Sequence, residues 1–223
     1  MRPYRSLPVR RKCGERIMTR IYLIRHAEAS GNTSMRYHGH YDSEITKKGR
    51  IQLERLGERF KDIVIDAVYS SDLKRAYETA RAVVGDRDIQ IIRDAQLREL
   101  NGGEWENLEW KEIMEDRKEE FKRFNDAPDI ISTPGGESAS DLQIRIANKI
   151  FEIVKNNPEA SVCIVSHAIA IKTFLCYARA IPVKYMGFHV WCKNTSVTTM
   201  DIAEDGRIRI LAENDASHLI GLE

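Results

Sequence analysis

The chain has 223 residues, with 35 lysines and arginines against 34 aspartates and glutamates, a formal charge of +1 at pH 7, and 42% apolar residues. That is enough apolar material to bury a core without disulfides or a metal. The charge is too balanced for a dedicated nucleic-acid binder, which needs a basic field, and no apolar run is long enough to cross a bilayer.

Residues 1–17 are basic and lack the apolar core of a signal peptide. They read as a disordered arm or as sequence upstream of a start at Met18, with a weak contact surface as a third reading. The fold is therefore sought in residues 18–223. Cys13, Cys163, Cys176 and Cys192 form no C-x-x-C pair, and the last three lie in apolar surroundings. Reduced thiols in a cytoplasmic protein fit that usage.

From residue 19 onward, β-type runs alternate with helical patterns. TRIYLI (19–24) reads as a strand that ends in Arg25 and His26. Thr46 is placed to cap a helix carrying Leu53, Leu56, Gly57 and Phe60. DAVYSS (66–71) reads as a second strand and DLKRAYETARAV as a helix from near Asp72; residues 88–92 are a third strand. Residues 108–124 put Trp110, Ile113, Met114, Phe121 and Phe124 on roughly one helical face. After a loop around Pro134, Gly135 and Gly136, Ser138 and Asp141 form a capping box that opens a long helix. SVCIVS is an apolar strand of the kind found at the centre of a sheet covered on both faces. It runs into AIAIKTFLCYA, a helix that is apolar nearly all round. TSVTTMDIA and RIRILAEN read as a hairpin turning at Glu204–Gly206.

This order predicts an α/β fold, a doubly wound and mainly parallel sheet with helices on both faces. Ligands of such sheets bind beyond the carboxyl ends of the strands. There the sequence places Arg25-His26, Arg75 and Ser166-His167. Two histidines and two arginines make an anion pocket that needs no metal, suited to phosphate or carboxylate. Helix N-termini following Ser71 and His167 are expected to add partial positive charge. Glu99, in a turn-rich stretch, is available for acid–base chemistry if it reaches that edge.

The same residues carry a family resemblance. IYLIRHAEASGN resembles the R-H-G-E-x-x-x-N opening of the histidine phosphatase superfamily, which includes the phosphoglycerate mutase-like enzymes. GHYDSEITKKGRIQ, YSSDLKRAYETA, LRELNGGEWE, PGGES and VSHA are similar to its further motifs, in collinear order over residues 19 to 220. The resemblance implies a single catalytic domain with residues 108–137 as a lid or specificity segment. It implies His26 as a nucleophile that becomes phosphorylated and Glu99 as general acid and base. It also implies that Arg25, Asn32, Arg75 and His167 hold the phosphoryl oxygens, with His167 protonated. Neighbouring cations should keep the His26 ring neutral for attack. The function implied is a phosphomonoesterase for a small phosphorylated metabolite, independent of metal and cofactor, in the cytoplasm, with neither nucleic acid nor membrane as partner. A homodimer is compatible with this. A cofactor-dependent phosphoglycerate mutase and a non-catalytic phospholigand-binding protein are the alternatives, the short 108–137 segment favouring a phosphatase over a mutase.

Several residues have plainer readings. Glu104 and Glu106 lie close enough to compete with Glu99, and Asn32 could simply cap a loop. His38 and His40 form an H-x-H without the further ligands of a zinc site. His218 could fold back to the pocket rim or be structural. The aromatic stripe at 110–124 reads as a packed helix face. No cysteine has an arginine six residues later, no strand ends in D-x-D, and no P-loop is present, so rival phosphatase and nucleotide chemistries lack their residues. The sequence departs from the family pattern at Ala27 and Ala168, which replace glycines. Gly31 stands for a tryptophan, Asn107 for a glycine and His38 for a glutamine.

Overall fold

The computed structural model describes residues 18–188 and 191–222, so the expectation of a basic arm over 1–17 falls outside the described residues, as does Cys13. Six strands form one sheet: β1 (Met18–Arg25), β2 (Ala67–Ser70), β3 (Ile91–Arg93), β4 (Ser161–Ser166), β5 (Val197–Ala203) and β6 (Ile208–Asp215). Their spatial order is β3-β2-β4-β1-β5-β6. The first four in that order are mutually parallel, and β5 and β6 add an antiparallel edge.

The helices are α1 (Ser30–Thr33), α2 (Lys47–Phe60), α3 (Lys74–Val84), α4 (Trp110–Glu115), α5 (Lys118–Asp126), α6 (Ala139–Asn156) and α7 (Ala168–Ala178). Thr46 caps α2 by accepting from Gly49 N–H at 2.9 Å. Ser138 and Asp141 form the predicted reciprocal box on α6, with Asp141 N–H on the Ser138 hydroxyl and Ser138 N–H on the carboxylate.

The two-residue period of the central strands divides the core. On β1 and β4, Ile21, Leu23, Val162 and Ile164 face a layer containing Leu142, Ile146 and Ile150 of α6 and Ile171 and Phe174 of α7. Ile24, Cys163 and Val165 face Leu56 and Phe60 of α2 and Ala76, Ala80 and Val83 of α3. A sheet covered on both faces explains why SVCIVS has no polar alternation. Cys163, Cys176 and Cys192 are buried free thiols.

Three local expectations are corrected. The third strand covers Ile91–Arg93 rather than 88–92, and α3 begins at Lys74 rather than near Asp72. The charged 108–124 stretch is two helices separated at Asp116 and Arg117. The break lets both halves turn apolar residues inward: Trp110, Ile113, Phe121 and Phe124 pack with Tyr37 and Trp105. Met114, placed on that face by a continuous helical period, is 45% exposed. Among the described residues no helix is long and apolar enough to cross a membrane.

Phe174 is fully buried and lies in the layer between α6, α7 and the sheet. Replacing it with alanine removes a ring from a packed interior and is expected to cost about 3–5 kcal/mol. Urea unfolding should show the lower midpoint with little change in slope.

Candidate active site

The parallel strands bring their carboxyl ends to one edge. Arg25 on β1 pairs in register with Ser166 on β4, and Ser70 on β2 with Val165. The next residues along these strands are His26, His167 and Ser71, so a sequence separation of about 140 residues closes to neighbouring side chains. The rings of His26 and His167 have centroids 5.0 Å apart. Arg25, His26, Arg75, Glu99 and His167 are all at least nine-tenths buried. A cavity of about 650 Å³ opens over this edge; its lining includes Arg25, His26, Asn32, Arg75 and Glu99.

The hydrogen bonds fix which nitrogen of His26 is available. Nδ1 lies 2.7 Å from the carbonyl oxygen of Ala27, which only accepts, so Nδ1 carries the proton. Nε2 lies 3.3 Å from Nε of Arg75, which only donates, so Nε2 carries the lone pair. Burial pushes the His26 ring well below its ordinary pKa, and the charges of Arg75 and Arg25 add to the effect. The ring is therefore neutral at pH 7, with desolvation ahead of the neighbouring cations as the cause.

Arg75 is held by the loop in front of it, donating to the carbonyls of Tyr41 at 2.9 Å and Gly39 at 2.8 Å. Glu106 staples that loop: its carboxylate accepts from the backbone N–H groups of Gly39, His40, Tyr41 and Gly102 at 2.8–3.2 Å. Glu104 is 61% exposed and pairs with Arg117. Of the three glutamates, only Glu99 is on the cavity wall.

Glu99 also changes the expected role of the helix termini. Its carboxylate accepts from Leu100 N–H, from Ala170 N–H at 3.0 Å and from Ile169 N–H at 3.0 Å. The first turn of α7 is thus occupied by a carboxylate of the protein itself. Likewise Asp42 takes Lys74 N–H at the start of α3. The expectation that both helix termini serve an incoming anion is corrected: each satisfies its dipole internally, and the positive charge of the pocket comes from guanidiniums.

His167 places Nε2 2.9 Å from the Ser71 hydroxyl, while its Nδ1 is buried without a partner. Burial first, then Arg75 and the neighbouring imidazoles, push its pKa well down, so the ring is neutral as it stands, whereas the expected protonated form concerns a bound phosphoryl group. Arg25 donates to the Cys192 carbonyl, and its Nε is likewise buried and unpartnered. Asn32 is at the exposed rim; its side-chain oxygen accepts from Ala29 N–H at 2.9 Å, so only its NH2 group can donate to a ligand.

The departures from the family pattern are accommodated locally. Neither Ala27 nor Ala168 has positive φ. Asn107 does, at 63°, a conformation asparagine adopts more readily than other side chains. Gly31 and His38 are complementary: a Cβ on Gly31 would stand 1.9 Å from Nδ1 of His38, so the histidine ring occupies the space a larger residue would need. His40 contacts the Glu99 carbonyl at 3.0 Å, and among the described residues no three His, Cys, Asp or Glu side chains group as metal ligands.

Sequence reasoning missed the segment before β5. Trp191 lies under the Arg25 guanidinium, 5.5 Å from ring centroid to Cζ, and is also approached by Lys172 at 5.0 Å. Asn194 donates to the His26 carbonyl at 3.0 Å. No periodic or turn signal in WCKNTS points to this contact, which exists only because β5 pairs beside β1.

The profile of the histidine phosphatase superfamily (branch 1) matches residues 21–216. Phosphoserine phosphatase 1 of Hydrogenobacter thermophilus is 29% identical over 91% of this chain and 95% of its own length. Phosphoglycerate mutase-like protein 4 of Arabidopsis thaliana is 32% identical over 89% and 86% respectively. Among solved structures, YhfR of Bacillus stearothermophilus superposes with a TM-score of 0.86 at 34% identity, covering 92% of this chain and all of that one. The phosphoserine phosphatase of Entamoeba histolytica in complex with 3-phosphoglyceric acid gives 0.79 at 27% identity, over 90% and 99% of the two chains.

The Glu106 staple generates a prediction. Glu106→Ala leaves four backbone donors without their acceptor and frees the loop that holds Arg75, so unfolding free energy should fall by about 2 kcal/mol and orthophosphate affinity should drop with it. Glu104→Ala, which removes an exposed ion pair, should change neither by a measurable amount. Thermal unfolding and calorimetric titration of both variants check this.

The fold, the matched profile and these relatives make the chain a member of the histidine phosphatase superfamily, branch 1, with the phosphoglycerate mutase-like architecture.

Proposed function

We propose that the protein is a metal-independent phosphomonoesterase that hydrolyses a small phosphorylated metabolite through a phosphohistidine on His26. The observation that carries this reading is the seating of the His26 ring, with Nδ1 on the Ala27 carbonyl and Nε2 facing the Nε–H of Arg75, which assigns the proton to Nδ1 and the lone pair to Nε2. Relatives named as phosphoserine phosphatases, one of them holding 3-phosphoglyceric acid, support the substrate class.

A phosphate monoester brings about two negative charges at neutral pH. Arg25 through its unpartnered Nε, Arg75, the Asn32 NH2 group and an N–H of His167 would receive its oxygens. With Ser71 donating to Nε2 of His167, the buried Nδ1 supplies that N–H. Arg75 exchanges its contact with His26 for one with a phosphoryl oxygen, which releases the Nε2 lone pair. Nε2 attacks phosphorus as the ester P–O bond breaks, and protonated Glu99 gives its proton to the leaving alkoxide. Glu99 Oε2 accepts only one backbone N–H, against two on Oε1, so Oε2 has room for that proton. The positive charge of the phosphorylated ring is stabilised at Nδ1–H by the Ala27 carbonyl. Glu99 then takes a proton from water, whose oxygen attacks phosphorus, releasing orthophosphate and restoring both groups. The guanidiniums act on the charge spread over the equatorial oxygens. Residues 108–137, packed through Trp105 and Tyr37 beside the cavity, act in this reading as its specificity wall.

Wild type is expected to release phosphate from nitrophenyl phosphate in the presence of EDTA, and His26→Ala to lose on the order of 10³-fold or more. Equal, negligible rates for both would leave a phospholigand-binding protein. Measured as kcat/KM, which reports the phosphorylation step, Glu99→Gln should lose about 10²–10⁴-fold on alkyl phosphates and far less on nitrophenyl phosphate, whose leaving group needs no proton; equal losses in kcat/KM would remove Glu99 from the general-acid role. With 3-phosphoglycerate and 2,3-bisphosphoglycerate, rapid 2-phosphoglycerate formation and little free phosphate would replace hydrolysis by mutase activity.

A further inference from the structure

Among the titratable side chains near the cavity that take no part in the proposed phosphoryl transfer, His218 is tied to the backbone of the nucleophile. His218 sits in the short turn Ser217–Leu219 that follows β6, in a tail whose Ala216, Leu219, Ile220 and Leu222 line the cavity. Arg59, in the last turn of α2, binds the Asp215 carboxylate at 2.7 Å and the Asp215 carbonyl at 3.1 Å, and places NH1 3.3 Å from Nδ1 of His218. A guanidinium only donates, so Nδ1 accepts and the one N–H of the neutral ring is on Nε2. That nitrogen lies 3.1 Å from the hydroxyl of Thr195.

Thr195 is fully buried and has φ of 55°, the left-handed region that a β-branched side chain avoids. In that conformation its N–H donates to the Arg25 carbonyl at 3.0 Å, with the His26 carbonyl at 3.4 Å. The adjacent Asn194 side chain donates to the same His26 carbonyl at 3.0 Å. A continuous set of contacts therefore runs from the C-terminal turn to the backbone of the nucleophile. Strained backbone of this kind persists only where its surroundings over-determine it, and the hydroxyl–imidazole contact is the restraint on the Thr195 side chain.

We propose that His218 is a positioning residue of the active site: by donating to Thr195 it holds the Asn194–Thr195 turn in the conformation that fixes the backbone of Arg25 and His26. The proposal rests on the phosphatase reading for its kinetic consequence. The charged groups facing the ring are Arg59 from α2 and Asp215 from the end of β6. Burial first and Arg59 second push its pKa down to about 4, against an upward pull from Asp215, so the donating neutral form prevails at neutral pH.

Wild type, His218→Ala and His218→Gln should be compared at pH 7 for kcat and KM on nitrophenyl phosphate, for orthophosphate Kd by calorimetry, and for Tm. Glutamine keeps one acceptor and one donor in the side chain; alanine keeps neither. Misplacing the nucleophile and its clamp should lower kcat by about tenfold or more and weaken orthophosphate binding by about fivefold in His218→Ala. His218→Gln should return both to within about threefold of wild type. Wild-type kcat and orthophosphate affinity in His218→Ala, even with a lower Tm, would overturn the proposal by reducing His218 to a packing residue. A glutamine variant as impaired as the alanine variant would also overturn it. A wild type without turnover would defeat the phosphatase reading separately; orthophosphate affinity would then decide the proposal, with unchanged binding in His218→Ala counting against it.

Discussion

The guanidinium of Arg75 is almost wholly removed from water and donates to the one nitrogen of His26 that has a lone pair. Burying a cation is costly unless its donors are satisfied and opposite charge is near, and much of the site meets that requirement. The carbonyls of Gly39 and Tyr41 take two of the donors of Arg75, and Glu106 keeps those carbonyls in place by binding their neighbouring N–H groups. Arg25 is buried by a different device, with one carbonyl partner and the face of Trp191. Burial foremost, with these two cations adding to it, pushes the His26 and His167 rings well below their ordinary pKa.

The distribution of carboxylates follows from the same constraint. Asp42 and Glu99 occupy the N-terminal N–H groups of α3 and α7, the two helices that leave the strand ends at the site. Each of these helix N-termini meets a carboxylate of the protein itself, so in the phosphatase reading attraction of the anion falls to Arg25 and Arg75. Glu99 gains a fixed position on the wall from three backbone donors. A carboxyl group held so firmly is preorganised for proton transfer, which is where the phosphatase reading needs it.

Much of this was legible in the sequence. The polar ends of TRIYLI and SVCIVS, set against strands otherwise apolar, marked the edge at which Arg25, His26 and His167 meet, and the motif around Arg75 supplied the facing helix. Ser138 and Asp141 announced α6 by local hydrogen bonding alone. What escaped depends on contacts between segments distant in the chain. Nothing local shows that the first turn of α7 is taken by a glutamate 70 residues earlier, or that Asn194 reaches the His26 carbonyl. The break between α4 and α5 has no proline or glycine to signal it; it answers to the demand that Ile113 and Phe121 both face Tyr37 and Trp105. The paired departures at Gly31 and His38 become intelligible only when one is seen to fill the space the other leaves.

The central claim is that Nε2 of His26 becomes covalently bonded to phosphorus. Rapid acid-free quenching of wild type during turnover, followed by phosphorus NMR and fragmentation mass spectrometry of the denatured protein, tests it most directly. The account predicts an acid-labile, alkali-stable phosphohistidine on His26, substituted at Nε2, absent from His26→Ala and accumulating when water attack is slowed in Glu99→Gln. Phosphate on His167, substitution at Nδ1 of His26, or steady turnover with no phosphorylated protein at any time would contradict it.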